Sequence, residues 1–202
     1  RIYSIIDKKR SEIYRFDMGE EVKRVNFAIK EYKLGKDVAL VCGGDPSLYG
    51  LASLGYELID NVKDIEVIPG ITAFLAASAK LGAAVSEDIV ILSMSDLLIP
   101  WDIIKKRIEA YSRIDVVLSV YNPKSKKRDW QLSFLVERLL ENRGDVYCGA
   151  VKNAFNRNEN IKLFKLSDID YSYIDMRTVL IIGNSKTYVK DDKLVTPRGY
   201  NI

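Results

Sequence analysis

"DVALVCGGDPSLYG", residues 37–50, runs from a short, continuously apolar stretch directly into a turn with three glycines, an aspartate and a proline. Upstream, Val22, Val25, Ile29 and Tyr32 recur at helical spacing and are stopped by Gly35, so Val38–Cys42 reads as a strand buried on both faces that follows a helix. Helix, buried strand and glycine turn in that order mark an α/β protein. The turn itself invites a phosphate reading, which its spacing rejects. A phosphate-binding loop of the G-x-x-x-x-G-K-[ST] type needs a lysine after its last glycine; Gly50 is followed by Leu51, and G-x-G-x-x-G is absent. Asp45 would also repel a phosphate from the centre of the turn, whereas a ligand carrying positive charge would not be penalised. Gly-Asp-Pro is equally the composition of an ordinary turn, so on spacing alone both readings stay open.

The alternation continues outward. Leu48–Ile59 suits a helix, "DIEVIPG" a strand and turn, and "TAFLAASAKLG" a close-packing helix rich in small residues that Gly82 ends. "EDIVILSMSD" reads as a strand, a helix with Ile104 and Ile108 opens at Pro100, and "DVVLSVYNP" is a strand and turn. "WQLSFLVERLLENRG" is an amphipathic helix stopped by Gly144, and "DVYCGAV" a further strand. In the last third, "IKLFKLSDI", "TVLIIGNS" and the hairpin-like "TYVKDDKLVTP" supply strands with hardly any helix between them. The expected architecture is therefore two α/β domains, 1–87 and 88–202, meeting near Val85–Asp88. The first sheet is expected to be mostly parallel and the second mixed.

Bulk properties exclude several functions. A chain of 202 residues, 48% hydrophobic, buries roughly 70% of its unfolded surface. With 31 basic and 28 acidic residues spread along it, the net charge of +3 gives no nucleic-acid signal. There is no histidine, which removes Ser-His-Asp and Cys-His catalysis and histidine-ligated zinc. Cys42 and Cys148, each in an apolar run, read as core thiols of a reducing compartment rather than as metal ligands. No apolar run approaches about 18 residues and nothing resembles a signal peptide, so a cytoplasmic protein without membrane contact is expected.

In open α/β sheets ligands gather beyond the carboxyl ends of strands. Five turns there have small or turn-forming residues: "GGDPSLYG", "PGITA" after Ile68, "YNPKSKKR" after Val120, "KNAFN" after Val151, and the approach to "TVLIIGNS" at Thr178. "PKSKKRDW", residues 123–130, is either a solvated charge run or a carboxylate-binding rim in which Arg128 offers a planar fork and the lysines point charges. Asp96 either caps the next turn or faces a ligand, and Trp101 is either core or a ligand platform.

Taken in order, "GGDPSLYG", "VIPGITA", "SMSDLLIPWDIIKKRIEA", "VVLSVYNPKSKKRDWQL", "GAVKNA", "TVLIIGNS" and "KLVTPRGY" resemble the tetrapyrrole methylases. "SDLLIPW", "YNPKSKKRDWQL" and "VTPRGY" resemble in particular the precorrin-3B C17-methyltransferase branch of cobalamin biosynthesis, and the likeness runs from about Gly19 to Tyr200. The resemblance implies S-adenosylmethionine bound in a cleft between two α/β domains, S-adenosylhomocysteine as product, a corrinoid substrate and a homodimer. Carried over by position, the cofactor would meet Gly43, Gly44, Asp45, Leu48, Thr72 and Ala73. In the second half it would meet Tyr121, Asn122, Asn153, Ala154, Thr178 and Val179. The substrate's acetate and propionate groups give a basic rim of Lys124, Lys127, Arg128 and Arg198 a reason to exist, and Asp96 is expected near the macrocycle. No general base is assigned. Family members begin with a strand and a G-x-G-P-G-type loop, which nothing before "RIYSIIDKKRSEIYRFDMGEE" matches, so about 35 to 45 residues are expected to precede Arg1. Two other readings stand beside this one: a methylase of the same superfamily with a different acceptor, and a binding module that holds adenosylmethionine or tetrapyrrole without turnover.

Overall fold

A computed structural model describes residues 12–125 and 128–201, in two compact units that divide between Thr72 and Ala73. This is earlier than the boundary expected near Val85–Asp88, and the cause is packing. Ala77 and Leu81 of helix α3 (Ala73–Leu81) are buried with Val117, Val151, Val179 and Ile181, so the small-residue helix belongs to the second core.

The first unit holds α1 (Glu21–Lys33), α2 (Ala52–Leu58) and a 3-10 turn at Val62–Asp64. Helix α1 ends as its sequence predicts, with Gly35 in the left-handed region at φ 81°. Val25 and Ile29 of α1, with Leu40 and Val67, line an apolar groove of about 570 Å³. Here one expectation is corrected: neither Val38–Cys42 nor Ile65–Ile68 forms a ladder, so the mostly parallel first sheet is not found among the described residues. An apolar run becomes a strand only where a neighbouring backbone pairs with it, and no described backbone does so; the Val41 carbonyl accepts instead from the Arg24 side chain at 2.9 Å.

The second unit contains β1 (Gly82–Ala83), β2 (Ile89–Ser93), α4 (Trp101–Tyr111), β3 (Val117–Tyr121), α5 (Trp130–Arg143) and β4 (Tyr147–Lys152). It continues with β5 (Asn160–Lys165), β6 (Thr178–Ile182), β7 (Tyr188–Lys190) and β8 (Lys193–Val195). Its main sheet has the order β2-β3-β6-β4-β5; β2 and β3 are parallel, and the other three pairs are antiparallel. This is the mixed sheet that the strand-rich last third predicts. A small second sheet, β1-β8-β7, closes through a hairpin whose Asp191 and Asp192 both have positive φ, as a two-residue hairpin turn requires.

Alternation along the strands makes three layers. Leu118, Val120, Cys148, Ala150, Leu180 and Ile182 face α4 and α5, while Val117, Val151, Val179 and Ile181 face α3. Leu132, Leu135 and Leu139 form the buried stripe of α5, each worth about 1.5–3 kcal/mol on removal from water. Gly144, at φ 77°, stops that helix where the sequence predicts. No helix among the described residues is long and apolar enough to cross a membrane.

Candidate functional site

In the first unit the two glycine-bearing turns meet backbone to backbone. A side chain at Gly70 would place its Cβ 2.2 Å from the Gly44 carbonyl oxygen, and one at Gly50 would sit 2.4 Å from the Pro46 carbonyl. Gly44 has φ 80° and Tyr49 φ 52°, so the turn is built from left-handed residues. Asp45 ties it together: Oδ1 accepts the Ser47 N–H at 2.8 Å and Oδ2 the Gly70 N–H at 2.9 Å. The Gly70 bond, followed by that of Ser47, holds the Asp45 carboxyl below its ordinary range. Asp45 thus acts on its own backbone. Gly43 and Leu48 lie in the same turn, and Thr72, buried, follows the second one.

In the second unit the ladder directions bring the candidates to one edge. Since β6 is antiparallel to both β3 and β4, the carboxyl ends of β2, β3 and β4 lie beside the amino end of β6. Tyr121 and Asn122 end β3, Asn153 and Ala154 follow β4, Thr178 and Val179 begin β6, and Asp96 follows β2. Asn122 and Asn153 have φ 48° and 53°, left-handed turns that suit asparagine. The Tyr121 hydroxyl accepts the Phe74 N–H at 2.8 Å and so satisfies a donor in the first turn of α3, next to Ala73. Asn122 Nδ2 donates to Ser93 Oγ at 3.2 Å, and Asn153 Nδ2 to the Asn158 carbonyl at 3.3 Å.

Thr178 is buried at the start of β6. Its Oγ1 accepts the Asp175 N–H at 3.1 Å, and Asp175 also binds Lys152 at 3.1 Å. Burial raises the Asp175 pKa, but the Arg177 N–H and Lys152 outweigh it and keep the carboxyl below its usual range.

The basic loop departs from the rim reading in one respect. Arg128 is buried; it donates to the Met94 and Asn122 carbonyls and lies 3.7 Å from Asp96, so its fork is spent on the protein. Lys124 donates to the Tyr171 carbonyl at 3.0 Å, Arg198 is exposed, and Lys127 lies outside the described residues. Asp96 itself accepts from Gln131 Nε2 at 2.9 Å. Gln131 was not singled out from the sequence, though a signal existed: it occupies the same α5 stripe as Leu135 and Leu139, where a polar residue is out of place. Trp101 packs against Trp130 and Phe134, with ring centroids 4.6 and 5.6 Å away.

Residues 3–170 match the model of the Tetrapyrrole (Corrin/Porphyrin) Methylases. The chain belongs to that family. This methylase is 43% identical over 207 residues to a probable cobalt-factor III C(17)-methyltransferase of Methanocaldococcus jannaschii, covering 96% of this chain and 82% of the relative. It is 40% identical over 206 residues to the cobalamin biosynthesis protein CbiHC of Archaeoglobus fulgidus, where all of this chain spans 45% of the relative. Among solved structures, that of the methyltransferase CobJ superposes with a TM-score of 0.89 at 30% identity, over 97% of this chain and 84% of that one.

Proposed function

We propose that this methylase transfers a methyl group from S-adenosylmethionine to C17 of a tetrapyrrole of the cobalamin route, with ring contraction. Cobalt-factor III is the favoured substrate, because the Methanocaldococcus relative's name carries it. The observation that carries the reading is the single edge where the ends of β3 and β4 and the start of β6 coincide, presenting left-handed asparagine turns and a tyrosine hydroxyl.

The residues fit a nucleoside bearing a sulfonium. The turns at Asn122 and Asn153, both left-handed, stand at the ends of β3 and β4 beside the start of β6. In this reading Ala73, Tyr121, Asn122, Asn153, Ala154, Thr178 and Val179 of the second unit bind the methyl donor. When bound, S-adenosylmethionine would supply an already activated methyl group as an electrophile for C17, leaving as the neutral thioether S-adenosylhomocysteine. The protein's task is then orientation, worth about 7 to 11 kcal/mol for well-aligned reactants, and it needs no histidine. Lys124, Lys127 and Arg198 are the proposed contacts for the substrate's carboxylates, while Arg128 is spent on the Met94 and Asn122 carbonyls. Free cysteines at Cys42 and Cys148 accord with the cytoplasm as the site of the reaction.

The test is incubation with cobalt-factor III and methyl-labelled S-adenosylmethionine, followed by mass spectrometry of the tetrapyrrole. Gain of one labelled methyl at C17 is expected. Tight binding of S-adenosylhomocysteine without any transfer would convert the reading to that of a binding module.

A further inference from the structure

The loop after β2 leaves two leucines in solvent on a rigid base. Leu97 and Leu98 are 82% and 95% exposed, and Trp130, adjacent in the chain to Asp96's partner Gln131, is 51% exposed. Directly before the leucines, Asp96 is held from two sides, by Gln131 Nε2 at 2.9 Å and by Arg128 Nη1 at 3.7 Å. Gln131 is only 1% exposed, and Arg128 is itself fixed by the Met94 and Asn122 carbonyls. Directly after them, Ile99 packs against the main core and Pro100 opens α4. Exposed apolar residues scattered singly need no explanation, but an apolar group on a pinned loop at a functional edge marks a contact surface.

The kind of occupant follows from the edge on which the loop stands. Asp96 lies beyond the same strand end whose Ser93 holds Asn122, so the leucines adjoin the proposed donor-binding turns. The family acts on tetrapyrroles, whose ring faces are broad, flat and apolar, and two exposed aliphatic side chains match such a face. We infer that Leu97 and Leu98 form an apolar prong that packs against the face of the tetrapyrrole macrocycle and sets its affinity, with Arg128 and Gln131 as positioning residues that act through Asp96. The identity of the ring rests on the methyl-transfer reading above; the prong's existence does not.

Binding of cobalt-factor III, measured with S-adenosylhomocysteine present to prevent turnover, tests this directly. In the double variant Leu97→Ser/Leu98→Ser the affinity for cobalt-factor III should fall about 100-fold, roughly tenfold per leucine. Affinity for S-adenosylhomocysteine and the melting temperature should not change, because both side chains are exposed. Gln131→Met should raise KM for the tetrapyrrole while leaving kcat in place, since it loosens the prong and touches no reacting atom. Wild-type affinity in the double variant overturns the proposal, and so does conversion of a dimer to a monomer with tetrapyrrole affinity retained, which would assign the leucines to a second copy of the chain. If the wild type binds cobalt-factor III but transfers no methyl group, the methyl-transfer reading falls alone, and weaker binding by the double variant still supports the prong.

Discussion

Asp45 Oδ2 accepts the backbone N–H of Gly70 at 2.9 Å, joining two turns 25 residues apart in the chain. Because this bond, with that from Ser47, lowers the folded-state pKa of Asp45 below its ordinary 3.8, its stabilisation is fully present above that value. It is lost as pH falls from 3.8 through the lower folded value. Amide exchange at Gly70 should therefore accelerate on acidification below about pH 4, after correction for intrinsic rates. Asp45→Asn should remove that acid dependence, and an unchanged profile would show that the carboxylate is not what joins the turns.

Gly70→Ala tests the same junction sterically. Its Cβ would lie 2.2 Å from the Gly44 carbonyl oxygen, backbone against backbone, so the turns must separate. A loss of about 1–3 kcal/mol is expected in urea unfolding.

Tyr121→Phe removes the acceptor for the Phe74 N–H and leaves the rest of the ring in place. The first turn of α3 should lose about 0.5–2 kcal/mol, the scale of a lost helix cap. Faster amide exchange at Phe74, with the exchange of β3 unchanged, would localise the effect.

Arg128→Ala should lower stability by about 1–3 kcal/mol, because the buried Met94 carbonyl loses its partner. A rim contact would behave differently: stability would hold, and only salt-dependent substrate affinity would fall. Denaturation curves at two ionic strengths distinguish these outcomes.

Cys148 is fully buried in β4, and burial pushes its thiol well up, whereas Cys42 is partly exposed. A thiol reagent should modify one cysteine in the native protein and both after denaturation. Fast native modification of Cys148 would contradict the packing of the α5 face of the sheet.

Local signals carried much of the second unit. The stripe Leu132–Leu135–Leu139 and the stop at Gly144 define α5, and the Asp191–Asp192 hairpin was visible as two short runs around a polar turn. Strand ends that sequence reasoning marked as candidate turns, Asn122, Asn153 and Thr178, do reach one edge. Their meeting depends on β6 entering between β3 and β4, which no local pattern encodes. Val38–Cys42 has the composition of a strand yet pairs with no described segment, because pairing is a property of two segments. Arg128 shows a related limit: a run of like charges does not tell which member turns inward, and burial of its fork depended on carbonyls at Met94 and Asn122 being free to receive it. Likewise, the small residues of α3 fitted close packing in either half of the chain, and only its contact with β4 and β6 decided which.

The placement of β6 also has a bearing on synthesis. During translation β3 and β4 emerge without the strand that will separate them, and they are parallel neighbours only by way of a segment made later. Until residues 178–182 leave the ribosome, the turns at Asn122 and Asn153 have no common frame. The nascent chain must keep the inner edges of β3 and β4 unpaired until then, and such long-range closure slows folding. A message truncated just before Thr178 should yield a chain prone to self-association through those two strand edges, rather than a smaller working domain.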